Sequence, residues 1–192
     1  ALIVPGPRPE GPRVRYLVDA GLPFVTHGRT RAGGHASVDI DGTAAFRTAT
    51  ERLIDFGHRR IGFIGAPLDY GFGFFRERGW REVLAEAGLA PGPSRFAEPG
   101  GGDGFRLATG IIAASEPPSA ILCATDRLAL GAIHALGHAG LKAGSDVSII
   151  GYDNAPVSAY IATPLTSFDP DIDGAVRDQL GVLASRAAAI CL

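Results

Sequence analysis

The chain predicts an α/β fold, a doubly wound and mostly parallel sheet with helices on both faces. Three observations predict it. Short apolar runs alternate with segments of helical period along the whole length. The turns between them are short. The stretch Ser119–Asn154 is a complete strand–helix–strand unit. Within it, Ala120–Ala124 is too short for a helix and ends at Thr125-Asp126, residue types that cap helix N-termini. Leu128, Leu130, Ile133, Leu136 and Leu141 keep a helical rhythm, and Gly140 supplies a stop. Val147–Tyr152 is a second apolar run rich in β-branched residues, and the connection is long enough for a right-handed parallel crossover. Ligands of open parallel sheets sit beyond the carboxyl ends of the strands. Those ends carry Thr125-Asp126 and Asp153-Asn154.

The remaining elements follow in order. Leu2-Ile3-Val4 is a strand end broken by Pro5-Gly6-Pro7. Val14–Ala20 reads as a helix ended by Gly21, Pro23–Thr26 as a strand, and Arg29–His35 as a polar loop. Ala36–Ile40 reads as a strand. Asp41-Gly42-Thr43 opens a long helix whose apolar residues Ala45, Phe46, Ala49, Leu53, Ile54 and Phe56 recur at helical spacing before Gly57. Ile61–Gly65 is the next strand. A glycine-rich turn at Asp69–Gly73 precedes a helix over Phe74–Ala87, ended by Gly88. A short strand is expected near Arg95–Ala97, and a helix from Asp103 to Ala114. After the central unit come a short helix to Ile161, a strand at Leu165–Phe168 and a last helix from Ile172 to the end.

Composition narrows the function classes. The 192 residues are 46% hydrophobic, enough for a sizeable core, and the net charge of -2 supplies no electrostatic footprint for nucleic acid. No apolar run approaches the ~18–20 residues needed to span a membrane, and no signal peptide is recognisable at the start. Two cysteines, Cys123 and Cys191, make no disulfide frame, which points to a reducing compartment and hence the cytoplasm. The chain starts at Ala1, and a half-sheet beginning with three residues would leave an uncovered strand edge. A piece of a larger fold is therefore expected.

Several motifs do not hold up. Asp169-Pro-Asp171-Ile-Asp173-Gly174 resembles the start of a calcium loop, but the closing acid would fall on Leu180. His134 and His138 stand four apart on one helix without a further ligand nearby. Gly71-Phe72-Gly73 lacks the third glycine of a dinucleotide fingerprint, having Arg76 there instead. The basic run His58-Arg59-Arg60 is accounted for by the helix macrodipole. Nothing assembles a nucleophile, a base and an oxyanion donor, so no enzyme, no metal and no cofactor is expected.

Seven segments in order and spacing then add up to a family: GLPFVTHGR at Gly21–Arg29, SVDIDG at Ser37–Gly42, LIDFGHRRIGFIGAP at Leu53–Pro67, RERGW at Arg76–Trp80, ATDRLALGAIHAL at Ala124–Leu136, DVSIIGYDN at Asp146–Asn154 and PLTSFDPD at Pro164–Asp171. Through them the chain resembles the effector-binding core of LacI-type transcriptional regulators. The resemblance implies a periplasmic-binding-protein-like core of two α/β subdomains with a small-molecule cleft between them. Residues 1–39 and 165–192 would belong to one subdomain and 40–164 to the other. It further implies a homodimer that meets operator DNA only through a helix-turn-helix headpiece absent from this chain.

The same resemblance nominates the ligand contacts. Sugar-like effectors present vicinal hydroxyls, which call for carboxylate acceptors and a guanidinium fork. Asp153 matches the family's strand-end aspartate and Arg76 the arginine that reaches the ligand; the plain alternatives are a helix cap and a solvated helix residue. Thr125 stands where relatives commonly have Asn, and Asp126 is either a contact or an N-cap. His27, beside Thr26, occupies a strand end, and Asp39 lies at the crossover, where Asp41 reads as a cap. Relatives often stack an aromatic residue on the ligand near Gly104; here Phe105 or Phe72 would have to serve. The rival readings are a periplasmic sugar-binding protein of an ABC transporter and, third, a sugar-nucleotide-dependent transferase.

Overall fold

The computed structural model describes residues 2–8, 11–30 and 33–190. Ala1, Pro9, Glu10, Arg31, Ala32, Cys191 and Leu192 lie outside the described residues, and with them part of the expected loop Arg29–His35 and the expected end of the last helix. The chain divides into two compact units: Ala1–Asp41 with Leu68–Phe72 and Asp171–Leu192, and Gly42–Pro67 with Gly73–Pro170.

In the smaller unit three parallel strands, β1 (Leu2–Pro5), β2 (Phe24–His27) and β3 (Ala36–Val38), pair in sequence order. Helix α1 (Pro12–Asp19) starts with Pro at its first position, where a missing N–H costs nothing, and buries Val14 and Leu17 against Val4 and Phe24. Strand alternation turns Val25 and His27 to the opposite face, where β2 meets the last helix, named below.

The larger unit holds a five-stranded parallel sheet in the order β5 (Ser94–Phe96), β4 (Ile61–Gly65), β6 (Ala120–Cys123), β7 (Ser148–Tyr152), β8 (Thr166–Phe168). The expected neighbours β4, β6 and β7 are adjacent and in parallel register. From β4 the chain first goes outward to β5, then crosses back to β6. The carboxyl ends of β4 and β6 are thus a topological switch point, where a crevice opens in sheets of this kind.

Helices α2 (Gly42–Asp55) and α3 (Gly71–Glu86) lie together, as do α4 (Gly101–Ile112) and α5 (Asp126–His138). Each pair approaches closely at glycine. A methyl group on Gly79 would overlap the Thr43 carbonyl, and one on Gly131 would overlap the Gly101 carbonyl. Phe63 of β4 stacks on Trp80 at 5.3 Å and meets Phe46 edge-on at 5.8 Å, and all three are 0–1% exposed. Burying rings of this size contributes roughly 2–3 kcal/mol each, which anchors α2 and α3 to the sheet.

Four expectations need correction. Helix α3 begins at Gly71, not after Gly73, and Gly73 inside its first turn sits against the Ala66 and Pro67 carbonyls, where any side chain would clash. Helix α4 likewise starts at Gly101, two residues before Asp103. The segment after Asn154 is a single 3₁₀ turn, Pro156–Ala159, rather than a helix to Ile161. The subdomain boundaries also shift: the unit changes after Asp41 and returns after Pro170, and Leu68–Phe72 groups with the smaller unit. The physical reason at the second boundary is β8, whose backbone pairs with β7, so residues 165–170 belong to the larger sheet. Helix α6 (Ile172–Ile190) then joins the smaller unit, where it packs on β2 and β3.

Candidate functional site

Arg76 sits on α3 four residues before Trp80, so the buried indole fixes the helix face from which the arginine projects. Its Nη1 donates to the Ala124 carbonyl at the end of β6. Its guanidinium lies over the Tyr152 ring, with Cζ 3.6 Å from the centroid. Tyr152, the last residue of β7, is itself buried between Phe46 at 6.1 Å and Phe168 at 6.2 Å. Arginine is thereby stretched across the switch point and held by a carbonyl and a π-face.

Asp153 follows directly, with φ +119°, and Asn154 has φ +46°. Aspartate and asparagine tolerate such conformations better than other side-chain residues, yet two in succession are uncommon. The Asp153 residue is open to solvent, but surrounding protein removes enough water to push its carboxyl up to about 6. The Arg76 charge and the Asp126 backbone N–H oppose that rise, and the Asp126 charge adds to it. Arg76 and Asp153 thus share one electrostatic environment at the carboxyl end of the sheet.

Thr125 is the N-cap of α5: its Oγ1 accepts from the Leu128 N–H at 3.3 Å, and the residue is 7% exposed. Asp126 is not the cap. It is completely buried, and both carboxylate oxygens are taken by Ala155, Ser158 and Ser167. The structure therefore does not present Asp126 to a ligand in the way the sequence reading allowed.

His27 and Asp39 lie in the smaller unit. His27 Nδ1 lies at hydrogen-bond distance, 2.7 Å, from the Gln179 amide nitrogen. Asp39 pairs with Arg29 Nε at 2.6 Å, and burial raises its carboxyl above the usual value against the pull of Arg29 and His27. Thr26 is buried and donates to the Gly28 carbonyl at 2.9 Å.

Of the aromatic candidates, Phe105 packs on His134 and His138, 5.1 and 5.3 Å away, and Phe72 packs on Tyr70 at 5.5 Å. His134 and His138 gain no third ligand: among the described residues no group of three His, Cys, Asp or Glu could hold a metal. The Cys123 thiol is buried and pushed up by that burial, away from any reactive range. Sequence reasoning missed Tyr152, Arg29 and Gln179. The first two were present in the recognised segments, but their pairing with Arg76 and Asp39 crosses between elements. No periodicity marks Gln179.

Two parallel α/β units with polar residues gathered at a strand-order switch point define a periplasmic-binding-protein-like domain, and residues 50–188 match that family, to which the chain belongs. Within it, the chain is a core of the LacI type, as its relatives show. It is 37% identical over 151 residues to the HTH-type transcriptional regulator AglR of Rhizobium meliloti (strain 1021), a match covering 77% of this chain and 42% of that regulator. A LacI-family regulatory protein from Chloroflexus aggregans superposes with a TM-score of 0.90 at 34% identity, over 95% of this chain and 67% of the other. The transcriptional regulator CelR in complex with cellobiose gives a TM-score of 0.91 at 28% identity, over 97% and 59%. The chain spans about half the length of the curated relatives it matches. These relatives are named as transcriptional or LacI-family regulators. No described helix is long and apolar enough to cross a membrane.

Proposed function

We propose that the chain is the effector-binding and dimerisation core of a cytoplasmic LacI-type regulator. It takes a small polyhydroxylated ligand, sugar or related metabolite, at the carboxyl end of the five-stranded sheet and so changes operator binding by a helix-turn-helix headpiece carried elsewhere in the whole protein. The observation that carries this reading is the pairing of a held guanidinium with a solvent-facing carboxylate: Arg76 over Tyr152, and Asp153 within its field. Together they offer fixed donors and an acceptor for vicinal hydroxyls. Thr125, at the end of the adjacent strand β6, is the further polar group assigned to the ligand.

The cellobiose complex of CelR supports a sugar-like effector, and the regulators among its relatives favour this reading over a transporter's solute-binding protein. A ligand lowers or raises operator affinity only by its differential affinity for the two states of the protein.

The test is a thermal-shift screen of mono- and disaccharides, cellobiose included, on the full-length protein, followed by operator binding with each hit. A stabilising sugar that changes operator affinity is expected. A tight ligand that leaves operator affinity unchanged would overturn the regulatory reading, and a protein that is monomeric at micromolar concentration would overturn the homodimer.

A further inference from the structure

Asp126 has a buried carboxylate that the ligand contacts do not use. We infer that Asp126 is a positioning residue: it ties the segment 153–158 to the first turn of α5 and so fixes how Asp153 is presented. The inference rests on the reading of Asp153 as an effector contact.

The tie is continuous. Asp126 Oδ2 accepts from the Ala155 N–H at 2.8 Å and from Ser158 Oγ at 3.0 Å. Its Oδ1 accepts from Ser167 Oγ at 2.6 Å, and that same hydroxyl oxygen accepts from the Asn154 N–H at 3.0 Å. The two backbone N–H groups that follow Asp153 are therefore both secured, one directly and one through Ser167. The Asp153 N–H in turn donates to the Phe168 carbonyl at 3.0 Å.

Two further facts favour positioning over simple core filling. Asp153 and Asn154 both hold positive φ, a costly pair that persists only where surrounding bonds over-determine it. Gly151 leaves the room: a methyl group there would overlap Asp126 Oδ1. An apolar residue would fill the same space without the desolvation cost of a buried carboxylate. The carboxylate is thus retained for the donors it gathers.

The experiment compares full-length wild type with Asp126→Asn, Ser167→Ala and Ser167→Thr. It reads backbone amide exchange at Asn154 and Ala155, the Asp153 titration by carboxyl-carbon NMR, and the melting temperature. Exchange at Asn154 and Ala155 should rise at least tenfold in Asp126→Asn and Ser167→Ala, with β4 amides unchanged. Ser167→Thr, which keeps the hydroxyl, should restore the wild-type pattern. In Asp126→Asn the Asp153 midpoint should fall below about 6, because the neighbouring like charge is gone. Unchanged exchange in a folded Ser167→Ala, or exchange that rises equally in β4, would overturn the inference. None of these readouts needs an effector. A sugar that binds regardless of Arg76 and Asp153, with the exchange pattern as expected, would overturn the functional reading alone.

Discussion

The guanidinium of Arg76 lies over the Tyr152 ring, its central carbon 3.6 Å from the ring centroid, while one of its nitrogens donates to the Ala124 carbonyl. Both supports come from strands β6 and β7, which carry the neighbouring Thr125 and Asp153. A flexible side chain is thereby made a fixed donor before any ligand arrives, which lowers the ordering cost of binding.

If that platform matters, Tyr152→Phe should bind effector as wild type does, since the ring is kept. Tyr152→Leu should bind roughly 2- to 30-fold more weakly, the range of a cation–π contribution of about 0.5–2 kcal/mol. Titration calorimetry on the full-length protein reads the difference. Equal affinity for both variants would mean that the ring does no orienting.

Removing the hydrogen-bonding groups themselves should cost more. Charge-assisted hydrogen bonds contribute about 1.5–3 kcal/mol, so Arg76→Ala and Asp153→Asn should each weaken effector binding by roughly ten- to a hundredfold. Neither residue is in the apolar core, so both variants should fold. Unaltered affinity in both would reduce Arg76 to a surface residue and Asp153 to a turn residue.

Asp153 also predicts a pH signature. Its carboxyl titrates at about 6 in the folded protein, against an ordinary value near 3.8. The folded state therefore holds this proton more tightly than the unfolded state does. The associated stability is fully present below about 3.8 and is lost as pH rises through 6. Asp153→Asn, uncharged throughout, should melt at a higher temperature than wild type at pH 7.5, and the gain should vanish by pH 3.5. A gain of equal size at both pH values would show that ionisation is not its cause. Effector affinity in the wild type should fall as pH drops below about 6, as the acceptor carboxylate is protonated.

Two glycines should respond in opposite directions to the same change. Gly151→Ala forces a methyl against Asp126 Oδ1, with Leu165 and Ala129 also within 3.3 Å. Overpacking of this kind costs about 1–3 kcal/mol. Gly137, inside α5, has nothing within 4 Å of its would-be methyl group. There alanine should stabilise by about 0.5–1 kcal/mol through the lower entropy of the unfolded chain. Chemical denaturation of the two variants checks both signs, and a stabilised Gly151→Ala would contradict the geometry around Asp126.

Local pattern alone was enough to place every strand of both sheets within a residue or two; β4, β6 and β7 are the clearest, short apolar runs closed by glycine or by a polar pair that starts the next turn. The parallel pairing of β4, β6 and β7 was likewise legible, since intervening helices force crossover connections. Arg76 and Asp153 could be nominated from the recognised segments. What those residues touch was not legible. Gly71 and Gly73 looked like a turn because glycine usually breaks helices, and only the Ala66 and Pro67 carbonyls pressed against Gly73 show why a glycine is needed within the helix's first turn. The strand β8 was assigned to the wrong unit because its partner β7, not its neighbour in sequence, decides where it belongs. Asp126 looked like a cap beside Thr125, for both precede a helix. Its real partners, Ala155, Ser158 and Ser167, lie 29 to 41 residues further on. Hydrogen bonds at that separation form only once β6, β7 and β8 are side by side, so it is tertiary structure that makes one aspartate an anchor and leaves the other facing solvent.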